Sequence, residues 1–377
     1  MINLDYASHT PVDERVLAEF CRVEREFAGN VIAAHTMGLQ AKAEMERITT
    51  GIANLLGVKP QEVIFTSGAS EANNLAIKGI TKAYEHVGKH ILSTCLEHPS
   101  VSGVLSVLQQ QGYEVELLRI LPTGVVDLEH LKSAIRPDTV LVCVSAVDSE
   151  LGVIQPIKEI AKVLAKHQHC HLHIDGAQAA GKLPLQYNMP STFCFSSHKF
   201  YGICGIGVLV KREGVVLEPL IHGGTSTTIY RSGTPTLSLA AATYKALEIA
   251  MQEMDKRLKT VRELQNYVLD ALKLLPKVRI NSPLDTSNVS PYILNISVPG
   301  IKGTYFQRAL DRHGICVSVK SACSTEHAPS RPVMAISRDK KNALCSWRIS
   351  FSHLTTTQEI DIFLTAFKNI TEEFLPT

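Results

Sequence analysis

Short apolar runs recur along the first two thirds of the chain, and small or polar residues follow each of them. Runs of this kind, rich in β-branched side chains, predict buried strands of a mostly parallel sheet. Segments with helical spacing of apolar residues lie between them, for example at residues 15–28 and 41–56. We therefore predict an α/β fold with strands at residues 63–66, 90–94, 139–146, 171–175, 193–195 and 208–210.

The pattern changes after about residue 237. A long helical stretch extends to about residue 275, and strands then alternate with helices to the end of the chain. These elements predict a smaller α+β domain, with strands at 292–298, 315–318 and 347–352 and helices at 305–312 and 357–370. We predict a large domain at residues 15–251 and a small domain formed by residues 1–14 together with 252–377.

The composition is ordinary for a globular enzyme. The 377 residues are 45% hydrophobic and 20% charged, and the net charge of +2 argues against a dedicated nucleic-acid surface. Neither a signal-peptide pattern nor an apolar stretch of membrane-spanning length is visible, so we predict a cytoplasmic protein without a membrane partner. The nine cysteines are scattered and form no C-x-x-C pair, so neither a disulfide framework nor a metal site is predicted.

Two consecutive predicted strands end in residues that suit one cofactor. Asp175 ends the first, and Ser196, His198 and Lys199 follow the second. Because ligands bind at the carboxyl ends of strands in open α/β sheets, we expect these side chains to meet there. They suit pyridoxal phosphate: the lysine forms a Schiff base, the acid pairs with the pyridine nitrogen, and hydroxyls bind the phosphate. A turn aspartate and a surface lysine are the alternatives.

Further blocks along the chain carry a family resemblance. They are N-L-D-Y-A at residues 3–7, S-G-A-S-E-A-N-N at 67–74, E-H-P-S at 97–100, S-S-H-K at 196–199, K-S-A-C-S at 320–324 and R-I-S-F-S at 348–352. With these blocks in this order, the sequence resembles class V aminotransferase-type enzymes, and among them cysteine desulfurases of the NifS/IscS kind. The resemblance covers nearly the whole chain. It implies pyridoxal phosphate fold type I, with a large mixed, mostly parallel sheet domain and a smaller α+β domain.

The resemblance also implies roles for single residues. His98 and Lys199 would transfer protons, Cys323 would attack the substrate sulfur, Arg348 would clamp the substrate carboxylate as a planar fork, and Asn30 would border the substrate. Cofactor contacts are implied for Ala69, Ser70, His98, Ser149, Asp175, Gln178, Ser196, His198, Lys199 and, in the neighbouring subunit of a homodimer, Thr234. The residues alone leave other roles open. A serine of the S-G-A-S block could simply cap a helix, His98 could be structural, Arg348 could be exposed on a strand, and Cys323 could be a spare cysteine without a chemical role.

The chain departs from the family pattern beside the expected substrate. Most relatives have two asparagines where this chain has Asp148 and Ser149. A serine reaches less far than an asparagine, and an acid at 148 would add negative charge near a substrate carboxylate unless it points away. Relatives also usually have Pro-Lys where Ile203 and Cys204 stand here.

The reaction implied by the resemblance converts L-cysteine to L-alanine and transfers the sulfur to Cys323 as a persulfide. The acceptor of that sulfur would be an iron–sulfur cluster scaffold or a tRNA-thiolation enzyme. One alternative is an aminotransferase or selenocysteine lyase of the same fold; transamination would not need Cys323. A second alternative is a low-activity scaffold that binds the cofactor, suggested by Asp148, Ser149 and Cys204.

Overall fold

A computed structural model describes residues 1–224, 227–275, 277–284, 287–319 and 328–374. Its strands are β1 (Ile2–Asn3), β2 (Val63–Thr66), β3 (His90–Ser93), β4 (Glu114–Leu117), β5 (Thr139–Ser145), β6 (His171–Asp175), β7 (Thr192–Ser196), β8 (Gly207–Lys211), β9 (Arg279–Ile280), β10 (Ile293–Ser297), β11 (Ile315–Cys316) and β12 (Ser346–Ser350). Its α-helices are α1 (Glu14–Glu26), α2 (Thr36–Leu56), α3 (Ala69–Ala83), α4 (Pro99–Gln110), α5 (Leu128–Ala134), α6 (Ile157–Leu164), α7 (Leu237–Gln252), α8 (Met254–Lys273), α9 (Gly303–Arg312), α10 (Arg331–Ser337), α11 (Lys340–Cys345) and α12 (Thr357–Phe374).

Seven of these strands form one sheet in the order β2-β8-β7-β6-β5-β3-β4. Neighbouring strands from β7 to β4 are parallel, whereas β8 is antiparallel to both β2 and β7. The predicted mixed, mostly parallel sheet is thus confirmed. Because β2 runs in the same direction as β7, the carboxyl ends of β2, β3, β5, β6 and β7 share one edge, where polar residues from distant parts of the sequence meet.

The apolar runs of the sequence predicted the central strands well. The runs at 63–66 and 171–175 coincide with β2 and β6. A strand that is buried on both faces is apolar at nearly every position, so its ends are visible in the sequence as the ends of the apolar run. The long helical stretch predicted after residue 237 consists of two helices, α7 and α8. Glu253 lies between them outside the helical conformation (φ −101°, ψ 4°), and its carboxylate accepts hydrogen bonds from Arg15 and Arg257.

Both faces of the central sheet are covered by apolar side chains. Phe193 and Phe195 on β7 pack into one cluster of buried residues, and Cys194 between them packs into a second cluster together with residues of α3. This alternation is the expected result of side chains that point to opposite faces along a strand. The sheet is therefore held rigidly between two helical layers, and its edge is a stable platform for a site.

The N-terminal segment is tied to the C-terminal part of the chain. Strand β1 pairs in parallel with β11, and Asp5 forms an isolated bridge with Ser350, the last residue of β12. The antiparallel sheet β12-β10-β9 lies in the same part of the chain. This pairing carries residues 5–8 to the edge of the central sheet, where they contact Lys199 and Arg348. The division into domains at residues 15–251 and 1–14 plus 252–377 stays a prediction.

In the part of the chain that the structure describes, no helix combines the length and the apolar character needed to cross a membrane.

Candidate active site

A cavity of about 320 Å³ opens at the shared edge of the central sheet. Its volume lies at the small end of the range of roughly 300 to 1,000 Å³ that is usual for small-molecule sites. The cavity is lined by Ala69, Ser70, His98, Ser149, Asp175, Gln178, Ser196, His198 and Lys199. The fold therefore brings together residues that the sequence puts at the ends of five separate strands.

Lys199 follows β7, and its amine lies against the N-terminal segment. The Nζ atom donates hydrogen bonds to the backbone carbonyls of Ala7 (2.9 Å) and Ser8 (2.7 Å). Burial, and then the charge of Arg348, lowers the pKa of Lys199 to about 8. A lowered pKa gives a larger fraction of neutral, nucleophilic amine near neutral pH, which suits covalent catalysis.

Asp175 ends β6 and is buried at the edge of the sheet. Its Oδ2 atom accepts a hydrogen bond from Nδ2 of Asn73, and its Oδ1 atom accepts one from the backbone N–H of Ala177, both at 2.9 Å. The carboxylate is therefore fixed in orientation from two sides. Asn73, on the buried face of α3, was not singled out from the sequence.

Gln178 connects Lys199 to a second buried lysine. Its Nε2 atom donates to the Ala7 carbonyl at 2.8 Å, the same oxygen that Lys199 contacts, and its Oε1 atom accepts from Nζ of Lys182 at 3.1 Å. Lys182 is only 5% exposed, and burial, followed by the charges of Lys199 and Arg348, lowers its pKa to about 7. This lysine was also missed by the sequence analysis.

His98 caps helix α4 with one ring nitrogen. Its Nδ1 atom accepts from the backbone N–H of Ser100 (3.2 Å) and contacts the Ser100 hydroxyl (2.8 Å). A neutral imidazole has one donor and one acceptor nitrogen, so the proton lies on Nε2. Burial lowers the pKa of His98, while the charge of Asp175 opposes that shift. The structural role and the predicted proton-transfer role therefore use different nitrogens.

The part of the cavity next to α3 offers donors to an anion. Helix α3 starts after Gly68, and no side chain caps its first turn, so the serine cap is absent. Ser196 lies beside this turn, and its Oγ atom contacts Nδ1 of His198 at 2.9 Å. Burial, and then Lys199, lowers the pKa of His198 to about 4. Uncapped N–H groups at the positive end of a helix dipole suit a phosphate.

Arg348 on β12 is buried behind the cavity wall. It is 2% exposed and is not among the lining residues, so the exposed strand arginine considered from the sequence is wrong. Its Nη2 atom donates to Asp5 Oδ1 (2.7 Å) and to Ser8 Oγ (2.9 Å), and its Nη1 atom donates to the Ser149 carbonyl (2.8 Å). Since Ser149 lines the cavity, this one residue lies between the guanidinium and the cavity.

Four further residues singled out from the sequence are placed as follows. Asn30 and Thr234 are exposed and are not among the lining residues of this cavity. Cys323 lies outside the described residues. Cys204 is exposed and lines the cavity; nothing in the structure explains the cysteine at this position.

Asp148 does not add charge to the cavity. It is 1% exposed and is absent from the lining, and its Oδ2 atom accepts from the backbone N–H groups of Glu150 and Leu151. Its Oδ1 atom has no hydrogen-bond partner among the described residues. Burial, and then the charge of Glu150, raises the pKa of Asp148 to about 7. The acid therefore closes a turn, and the concern that it repels the substrate carboxylate is removed.

We expect the Asp148→Asn variant to be more stable than the wild type, increasingly so as the pH rises. The folded-state pKa (about 7) lies above the unfolded value of 3.8, so the folded state binds more protons and the wild type loses stability between these values. The amide avoids this loss. Urea unfolding should give an advantage that is about 1 to 3 kcal/mol larger at pH 8 than at pH 5.

Asp127→Asn is the matched control for this prediction. Asp127 is a partly exposed carboxylate that also accepts from two backbone N–H groups, those of Glu129 and His130. An equal pH-dependent gain in the control would mean that the amide contacts, rather than burial, cause the effect. An advantage of Asp148→Asn that is independent of pH would contradict the prediction.

The lining residues fit pyridoxal phosphate. Lys199 offers an amine for the aldehyde, Asp175 a fixed carboxylate for the ring nitrogen, and Gln178 an amide for the ring oxygen. The uncapped turn of α3, with Ser196 and His198 beside it, would hold the phosphate. When bound, the cofactor would supply an electron-accepting ring that stabilises negative charge at the substrate Cα.

With this sheet and this lysine-centred cavity, the chain has the architecture of a fold type I pyridoxal phosphate enzyme. A sequence model of the family described as aminotransferase class-V matches residues 2–363. The chain belongs to this family, in the group of the NifS/IscS-type cysteine desulfurases.

Two relatives and one solved structure illustrate the similarity. The chain is 35% identical to the NifS/IcsS protein homolog of Lactobacillus delbrueckii subsp. bulgaricus, over 99% of this chain and 98% of that protein. It is 34% identical to the cysteine desulfurase IscS of Dictyoglomus turgidum, over 99% of this chain and 95% of that protein. A solved NifS-like protein, 33% identical, superposes with a TM-score of 0.92 over 99% of this chain and 100% of that chain.

Proposed function

We propose that the chain is a pyridoxal phosphate-dependent cysteine desulfurase that converts L-cysteine to L-alanine and transfers the sulfur to Cys323 as a persulfide. One observation carries the proposal: a partly buried lysine with a lowered pKa shares a cavity with a fixed carboxylate and a neutral histidine. This is the set of groups that activates an amino acid at its Cα. The family supplies the choice of cysteine as the substrate.

Each residue has a defined task in this proposal. Lys199 would hold the cofactor and, as a free neutral amine, would take up the Cα proton, while the N–H at Nε2 of His98 would serve as a proton donor. Asp175 would hold the ring nitrogen. The Arg348 guanidinium would bind the substrate carboxylate. In the structure its Nη2 atom donates instead to the Asp5 carboxylate and to the Ser8 hydroxyl. The Cys323 thiolate would take the sulfur: its bond to that sulfur forms as the carbon–sulfur bond breaks, and the electron pair of the broken bond stays with Cβ. Cβ then takes up one proton, and Cα regains the proton that it lost, which gives alanine.

We further propose that the enzyme works as a homodimer. Thr234 is exposed and lies outside its own cavity, which supports a contact with the neighbouring subunit's cofactor. The large apolar side chains Ile32, Met37, Leu39 and Ile229 are also more than half exposed, and a subunit interface would cover them. An iron–sulfur scaffold or a tRNA-thiolation enzyme is proposed as the sulfur acceptor. The cytoplasmic location stays a prediction.

The test uses the cofactor-loaded wild type and L-cysteine. We expect one alanine per sulfur released in the presence of a reductant, and without a reductant a Cys323 peptide heavier by one sulfur atom. A keto acid in place of alanine, with Cys323 unmodified, would identify an aminotransferase. A yellow protein that forms neither alanine nor sulfide would identify a scaffold that only binds the cofactor.

A further inference from the structure

Asn73 lies at the centre of a hydrogen-bond network below the cavity. It is fully buried, with 0% exposure, on the face of α3 that packs on the sheet. Its Nδ2 atom donates to Asp175 Oδ2 and to Ser100 Oγ, both at 2.9 Å. Its Oδ1 atom accepts from Nε2 of His173 and from the thiol of Cys194, both at 2.8 Å. The whole hydrogen-bonding capacity of one amide is therefore used.

The partners fix which way the Asn73 amide faces. The Asp175 carboxylate can only accept, so the Asn73 nitrogen faces Asp175 and the Asn73 oxygen faces His173. Burial lowers the pKa of His173 to about 4, so its ring is neutral, and its Nδ1 atom contacts the Thr192 hydroxyl at 2.9 Å. Because the Asn73 oxygen can only accept, the proton of this ring lies on Nε2. The amide oxygen of Asn73 must face His173, and its NH₂ group must face the cavity side.

The same orientation supports the position of the proton on His98. The backbone N–H of Ser100 donates to Nδ1 of His98, so Nδ1 carries no proton and the Ser100 hydroxyl donates to it as well. One N–H of Asn73 donates to the oxygen of that hydroxyl and holds it in this place. Both the carboxylate of Asp175 and the imidazole of His98 are thus oriented by a single side chain that does not line the cavity.

We propose that Asn73 is a positioning residue of this enzyme: it holds the Asp175 carboxylate for the cofactor ring and keeps the proton of His98 on Nε2. The inference rests on the proposed function for the roles of those two groups. A network whose members are all satisfied is rigid in a low-dielectric interior, which is the property that proton transfer and ring binding require.

The main test compares Asn73→Ala with Asn74→Ala in the cofactor-loaded enzyme. Asn74 is the next residue on α3, and among the described residues its amide donates to the Ser70 carbonyl alone, at 2.9 Å. Nitrogen NMR of protein labelled in its histidine rings reports the tautomer of His98, whose signals are assigned by their loss in His98→Gln. The visible absorption band of the bound cofactor reports the environment of its ring.

In the wild type we expect an unprotonated Nδ1 and a protonated Nε2 on His98. In Asn73→Ala the two nitrogen signals should move toward each other and the absorption band should shift. Its kcat should fall by roughly 10- to 100-fold, as when a supporting partner of a functional group is lost, while KM changes little. The Asn74→Ala protein should match the wild type in every readout.

A second pair of variants covers the case in which Asn73→Ala does not fold. His173→Leu keeps Asn73 but removes one of the two donors to its amide oxygen. His171→Leu makes the same change two residues earlier on β6, where the ring contacts Tyr84. The NMR change should occur in the first variant and not in the second.

Unchanged His98 signals in both Asn73→Ala and His173→Leu would overturn the inference, as would equal changes in the controls. The NMR readout needs no cysteine turnover. A wild type that forms no alanine would therefore reject the proposed function while leaving the role of Asn73 open to measurement.

Discussion

The Lys199→Met variant should lose cysteine turnover by at least roughly 10⁴-fold, because covalent attachment of the cofactor and proton transfer at Cα are lost together. Methionine matches the lysine side chain as far as Cε and lacks only the terminal amine, so the apolar part of the cavity wall stays filled. The hydrogen bonds to Ala7 and Ser8 are lost, but both carbonyls lie at the edge of the cavity, where water can replace the amine. Alanine formation and the visible spectrum measure the effect.

Lys211→Met is the matched control for this variant. Lys211 is a buried lysine on β8 whose Nζ atom also donates to a backbone carbonyl, that of Val215 at 2.8 Å, and it lies outside the cavity lining. The control should keep the colour and the activity of the wild type. If Lys199→Met bound the cofactor covalently and released alanine at the normal rate, the assignment of Lys199 would be wrong.

The Arg348→Lys variant should lose roughly 10- to 100-fold in kcat/KM for L-cysteine, mainly through KM. Lysine keeps the positive charge but lacks the planar fork that holds a carboxylate with two parallel hydrogen bonds. The loss corresponds to one charge-assisted hydrogen bond of about 1.5 to 3 kcal/mol. The Arg348→Met variant should lose more, since it also removes the positive charge and leaves the Asp5 carboxylate without its ion pair.

The Asp5→Asn variant separates substrate binding from structural support. The substitution would leave the Arg348 guanidinium in place and remove the carboxylate that competes with the substrate for it. We expect KM of this variant to stay the same or to fall. A rise in KM as large as that of Arg348→Lys would mean that the Asp5–Arg348 ion pair is needed as a unit, and that the arginine does not bind the substrate in the proposed way.

The sequence was most informative where the chain alternates between apolar runs and polar ends. Asp175 and Lys199 were found because each follows a buried strand, and parallel strands have only one edge at which their ends can meet. Asn73 left a weaker signal: an amide among Ala72, Leu75 and Ala76 on the apolar face of a helix, which is a costly position unless the amide is fully hydrogen-bonded.

For Asp148 and Arg348, the sequence did not predict the direction of the side chain. Sequence reasoning could name both residues but could not tell on which side of a turn or strand the side chain lies. Asp148 turned out to be buried below its own turn, and Arg348 lies behind the cavity wall rather than on a surface. Such directions depend on which residues pack opposite, and those residues come from distant parts of the sequence.

The sequence by itself therefore determined six of the seven strands of the central sheet, their ends and the chemical groups collected there, because local hydrophobic patterning is a property of short segments. It did not predict β4 at the sheet edge, whose side chains are exposed or half-buried and form no apolar run. Only the tertiary structure decided which groups support one another: the carbonyls of Ala7 and Ser8 under the Lys199 amine, Gln178 on the Ala7 carbonyl, and Asn73 on the Asp175 carboxylate. Hydrogen bonds between residues a hundred or more positions apart require a definite distance and angle, and these exist only once the layers have packed.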